Sequence, residues 1–98
     1  MKLSQLRALV AVADHNNFSE AALHLGLSQS AISHAIASLE EKLGVVLLSR
    51  GRHGAHLTSV GERVTTHARN VLLDPASRWT LNLHICTLFI KQTLRINR

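Results

Sequence analysis

The run from Ser28 to His34 reads Ser-Gln-Ser-Ala-Ile-Ser-His. Its polar members, Ser28, Gln29, Ser30, Ser33 and His34, carry hydroxyl, amide and imidazole groups, which donate and accept hydrogen bonds without a permanent charge. Groups of that kind suit the edges of bases in a DNA groove. Ile32, Ile36, Leu39 and Leu43 recur at helical spacing and form an apolar stripe along the same segment. Ser30, Ser33, His34, Ala37 and Ser38 occupy the opposite face, where a merely solvated helix would show Glu, Lys and Arg. Acidic residues enter only at Glu40 and Glu41, near the far end. The first half is therefore acid-free, as fits a helix whose N-terminal turns meet phosphates and base edges. This pattern predicts a DNA-recognition helix. The competing reading is an ordinary amphipathic helix packed on a small core.

The neighbouring elements must hold that helix in place. Leu3, Leu6, Leu9, Val10 and Ala13 share one face and predict a first helix from about Leu3 to His15. Asn16-Asn17 ends it, because both side chains compete for backbone hydrogen bonds. Phe18 reads as a core anchor, and Ser19 as the cap of a short helix, Glu20 to Leu25. Gly26 suits a left-handed stop, Leu27 is expected to turn back into the core, and Ser28 caps the third helix. Helix, tight turn, capped helix is the helix-turn-helix layout. Gly44 closes the third helix. Val45 to Leu48 is a short β-prone run, followed by Ser49 and Arg50 and then a Gly-flanked basic loop, Gly51 to His56. Regular structure resumes at Leu57-Thr58, so this stretch predicts a wing. Phosphate contact is the favoured role for Arg50 and Arg52, over a solvated surface role. Thr58 or Ser59 can cap a fourth helix with an apolar seam of Val60, Val64, His67, Ala68, Val71 and Leu72. Asp74-Pro75 must stop or kink that helix.

Composition excludes several function classes. The chain has 98 residues, 46% of them apolar, which suits one small globular domain. A lone Cys86 allows neither an internal disulfide nor a cysteine zinc site, and points to a reducing cytoplasm. The apolar stretch near Leu81 to Ile90 falls far short of the roughly 20 residues that span a bilayer, and no membrane partner is expected, a membrane-surface role through Trp79, Lys91 and Arg95 being the weaker alternative. His53 and His56 have a suggestive spacing, yet no carboxylate or Cys stands nearby to complete a metal site. No nucleophile elbow or Gly-rich phosphate loop frames the Ser, His and Asp residues, so neither enzyme activity nor a cofactor is expected. The net charge of +5 divides unevenly, at +1 up to Pro75 and +4 beyond it. The basic balance thus belongs mainly to the tail, and DNA binding is argued from pattern instead.

The segments LSQLRALVAVADHNNFSEAA, LGLSQSAISHAIASLEEKLGVVLLSR and LTSVGE, in that order and without insertion, resemble the N-terminal DNA-binding domain of LysR-type transcriptional regulators. The resemblance covers residues 3 to about 72. It implies a mainly α winged helix-turn-helix, a three-helix core with a small β-wing followed by a linker helix that dimerises. It also implies a separate inducer-binding domain. Carried over by position, Gln29, Ser30, Ser33 and His34 would enter the major groove of double-stranded DNA, with Ser28 and Thr58 beside them. Arg50, Arg52 and His53 would lie along the wing, near the backbone or minor groove. Two positions depart from the family pattern: Ser30 stands where proline is usual, and His34 where a longer basic or polar residue is common.

The expected organisation is a DNA-binding domain over residues 1–58, a shortened linker helix over 59–74 and a tail over 75–98. The seam Val60, Val64, His67, Ala68, Val71 and Leu72 is the expected homodimer contact. The tail, ASRWTLNLHICTLFIKQTLRINR, resembles nothing in the family and suggests a truncated or frame-shifted product. No small-molecule inducer site is expected in this chain. The alternatives are a fragment that forms mixed dimers with a full-length regulator, and a product without function.

Overall fold

A computed structural model describes residues 2–51, 54–73, 88 and 90–92. The elements run α1 (Leu3–His15), α2 (Phe18–Leu25), α3 (Gln29–Leu43), β1 (Leu48–Gly51), β2 (Gly54–Leu57) and α4 (Ser59–Leu73). This is a mainly helical winged helix-turn-helix, with α1 at its centre. Leu6, Ala8, Leu9, Ala11 and Val12 of α1 are all buried, and α2, α3 and α4 each pack against it. Its small Ala8 and Ala11 permit the close approach of those helices. The apolar stripe of α3 closes the core from a second side: Ile32, Ile36, Leu39 and Leu43 are buried as their spacing predicts.

Caps and stops set the helix boundaries. Asn16 adopts the left-handed conformation (φ 54°) after α1, which asparagine tolerates better than most residues. The Asn17 side chain accepts a hydrogen bond from the Glu20 amide at 3.0 Å. Asn17, and not Ser19, is therefore the cap of α2, and the helix starts at Phe18. Gly26 (φ 67°) and Gly44 (φ 70°) stop α2 and α3 in the left-handed region, as anticipated. Leu27 does not return to the core. Its amide bonds to the Ala22 carbonyl at 2.9 Å, and its side chain is 49% exposed.

The wing starts later and turns more tightly than the apolar run suggests. β1 and β2 pair antiparallel from Leu48↔Leu57 to Gly51↔Gly54. Arg52 and His53, which join them, lie outside the described residues. Val45 to Leu47 form no strand, because helices claim their polar groups. The Leu47 amide donates to Glu40 Oε2 at 2.7 Å. The Val46 carbonyl accepts from the Thr58 hydroxyl at 2.7 Å, and the Leu47 carbonyl accepts from the Thr58 amide at 3.0 Å. At the other end, the Ala55 amide donates to the Asn16 carbonyl at 3.2 Å. Gly54 lies so close to that carbonyl that a Cβ would collide with it.

Thr58 also accepts from the Gly61 amide at 2.9 Å and so caps α4. Along α4, Val64, Ala68 and Val71 are buried within the chain itself. The seam expected to meet a second copy is therefore largely covered by intrachain packing against α1. Of its members, Val60, His67 and Leu72 keep accessible surface. Burial holds the His67 imidazole below its ordinary pKa of 6.5. An exposed ion pair, Arg69 to Asp14 at 2.6 Å, ties α4 to α1; at that exposure it contributes little. The expectations for Pro75 and most of the tail fall outside the described residues. Of the tail, residues 88 and 90–92 are helical, and Ile90 is buried as part of the core.

Two substitutions in α4 should shift stability in opposite directions. Gly61 packs against the Leu47 carbonyl, where an added Cβ would meet the carbonyl carbon at 3.0 Å and Leu57 Cδ2 at 3.2 Å. Gly61→Ala should cost roughly 1–3 kcal/mol in urea unfolding, despite alanine's better helix propensity. Thr65 is 3% exposed, and its hydroxyl has no partner among the described residues. Thr65→Val removes that buried, unpaired group and should stabilise the chain by about 1 kcal/mol in the same measurement.

Candidate nucleic-acid interface

The N-terminal half of α3, the first turn of α2 and the wing converge on one open groove. Its lining includes Phe18 and Ser19, Gln29, Ser33 and His34, and Arg50. α3 brings its polar face there because the opposite stripe is fixed in the core. Ser28, Gln29, Ser30 and His34 are exposed, while Ser33 is half-buried beneath the wing.

Hydrogen bonds hold several of these side chains in place. Ser28 Oγ accepts from the Ala31 amide at 3.1 Å, so it caps α3. It also lies 3.3 Å from Ser30 Oγ. Gln29 Nε2 donates to Ser19 Oγ at 3.0 Å, joining α3 to α2. Arg50 Nη2 donates to Ser33 Oγ at 2.8 Å, joining the wing to α3. The Arg50 guanidinium carbon also sits 4.3 Å from the centroid of the Phe18 ring. Such a stack contributes roughly 0.5–1 kcal/mol at an exposed site. Phe18 is thus a platform as much as a core anchor.

The electrostatics favour an anionic partner. Arg50 is positive, and no acidic residue lines the groove among the described residues. The acids of α3 stand at its far end, where Glu40 is turned toward the Leu47 and Leu48 amides.

Ser28, Gln29, Ser30, Ser33, His34 and Arg50 therefore come together, while Arg52 and His53 lie outside the described residues. Thr58 is elsewhere: its hydroxyl is committed to the Val46 carbonyl and the Gly61 amide, so its role is that of a cap. Asn17, Phe18 and Ser19 line the groove without having stood out in the sequence. Their one signal is the run Asn-Asn-Phe-Ser, whose polar and aromatic groups are explained locally by a turn, a core anchor and a cap.

Known proteins share this fold. Residues 3–62 match the family described as bacterial regulatory helix-turn-helix protein, lysR family. The chain is 61% identical over 72 residues to a probable HTH-type transcriptional regulator, LrrA, of Synechococcus elongatus, covering 74% of this chain and 24% of that protein. It is 47% identical over 72 residues to a probable hydrogen peroxide-inducible genes activator of Streptomyces viridosporus, covering 74% of this chain and 23% of that protein. Among solved structures, the CbnR_DBD–DNA complex superposes with a TM-score of 0.74 at 36% identity, over 88% of this chain and 98% of that one. The BenM_DBD/benA site 1 DNA complex gives the same TM-score at 32% identity, over 88% and 97%. The chain spans about a quarter of the length of the curated relatives it matches. With the family matched across most of its length and the winged fold in place, this chain belongs to the lysR family of bacterial regulatory helix-turn-helix proteins.

Proposed function

We propose that this chain reads a specific sequence in double-stranded DNA and regulates transcription in the bacterial cytoplasm. Gln29, Ser30, Ser33 and His34 face the bases of a major groove. Ser28, Arg52 and His53 serve the backbone, and Arg50 lies between the two sets. The observation that carries this reading is the acid-free, hydrogen-bonding face of α3, presented beside an arginine in an open groove. Solved structures of comparable fold, the CbnR_DBD and BenM_DBD complexes, contain DNA, and the relatives' descriptions as regulator and activator support the same reading.

The reading also includes a homodimer formed along α4. With Val64, Ala68 and Val71 inside the core, the contact falls to Val60, His67, Leu72 and the 79% exposed Leu73. The same surface would serve a mixed dimer with a longer relative.

Gel shifts at graded salt test DNA binding, using duplexes selected from a random pool. Ser33→Ala and His34→Ala should relax base preference, each by about 1–3 kcal/mol where the side chain makes a good hydrogen bond to a base edge. Arg52→Ala should weaken all duplexes alike and reduce the salt slope by about one. Failure to select any preferred duplex would count against the proposal. For the dimer, light scattering on the full chain should give twice the monomer mass. Leu73→Asp should return it to monomer without lowering the melting transition, since that side chain is exposed. A dimer that survives this change would remove α4 as the contact.

A further inference from the structure

Arg50 reads from the sequence as a charge on the wing, free to meet a phosphate. In the structure it is held at two points. Its guanidinium lies over the Phe18 ring, 4.3 Å from the centroid, and Nη2 donates to Ser33 Oγ at 2.8 Å. Each support is itself fixed. Phe18 opens α2 directly after its cap, Asn17, and Ser33 sits on α3, half-buried beneath the wing. The backbone at Arg50 is held by pairing with Ala55, whose amide is bonded to Asn16. The one ion pair among the described residues joins Arg69 to Asp14, so no carboxylate there draws Arg50 away.

The chemistry of this bond constrains Ser33. A guanidinium has five N–H donors and no acceptor, so the hydroxyl oxygen must accept. A hydroxyl has one proton and two lone pairs. With one lone pair turned to a cation, the O–H is directed away from the guanidinium, and it donates to no partner among the described residues. Ser33 keeps its proton and one lone pair, and accepting from a cation polarises it toward donating. Acceptors in the major groove are N7 and O6 of guanine, N7 of adenine and O4 of thymine, whereas the cytosine N4 amino group offers only hydrogens.

We propose that Arg50 is a positioning residue that fixes Ser33 as a hydrogen-bond donor, so that the base facing Ser33 is selected for an acceptor. The inference rests on the DNA-binding reading above. It assigns specificity to a wing arginine that makes no base contact of its own. It also separates Arg50 from Arg52, whose role is the phosphate.

The test uses the full chain and duplexes selected with the wild type. The position governed by Ser33 is first found as the one where Ser33→Ala loses base preference. There, Arg50→Lys and Arg50→Ala should each lose discrimination, roughly tenfold, while the salt slope stays at the wild-type value. Lysine keeps the charge but lacks the planar fork that stacks and donates at once, so it should not rescue. In the Ser33→Ala background, Arg50→Lys should have no further effect at that position. Phe18→Leu should reproduce the loss where its melting transition is unchanged, and Arg50→Lys carries the test if that variant is unstable. If Arg50→Lys retains full discrimination, or Arg50→Ala lowers the salt slope by about one with preference intact, Arg50 is a phosphate contact and the inference fails. A wild-type chain that selects no preferred duplex would instead overturn the DNA reading itself.

Discussion

The carbonyl of Asn16 is the point on which the polar groove depends. It lies at a left-handed residue between α1 and α2, and it accepts the Ala55 amide from the wing. Gly54 packs against the same atom. The residue that ends the central helix thus also places a hairpin of two four-residue strands. Isolated hairpins of that size are marginal in water. This one is held because both its ends are bonded to helices, through Asn16 on one side and through Glu40 and Thr58 on the other.

The placement explains why two weakly polar surfaces form one site. α3 cannot rotate, because Ile32, Ile36, Leu39 and Leu43 are locked into the core. The wing cannot slide, because a shift of one residue would remove the Asn16 and Leu47 bonds and reverse the faces of the hairpin. Arg50 and Ser33, distant in sequence, are therefore brought within hydrogen-bonding distance by the fold. The groove between them is uncharged or positive along its lining. Glu40 of α3 is turned to the Leu47 and Leu48 amides, where β1 begins.

Much of this was legible in the residues. Helical spacing located α1 and α3, and Gly26, Ser28 and Gly44 marked their turns and cap, because those signals are local. Several misreadings come from a hydrogen-bond partner that side-chain spacing cannot reveal. Val45 to Leu47 have β-prone side chains, but Glu40 and Thr58 take their backbone groups. Leu27 is apolar, yet a bond from its own amide to Ala22 leaves the side chain 49% exposed. The seam of α4 showed a face to be covered without showing whether α1 or another molecule covers it. Ser19 and Phe18 looked self-explanatory, and only the fold sets them beside Gln29 and Arg50.

The stack of Arg50 on Phe18 also bears on entropy. A long arginine side chain in solution samples many rotamers, and freezing such a chain at an interface costs roughly 0.5–1.5 kcal/mol. Here the freezing accompanies folding, because the ring and the hydroxyl that restrain it are already in position. On the proposed reading, docking onto a duplex then orders one flexible arm fewer, which slows departure more than it speeds arrival.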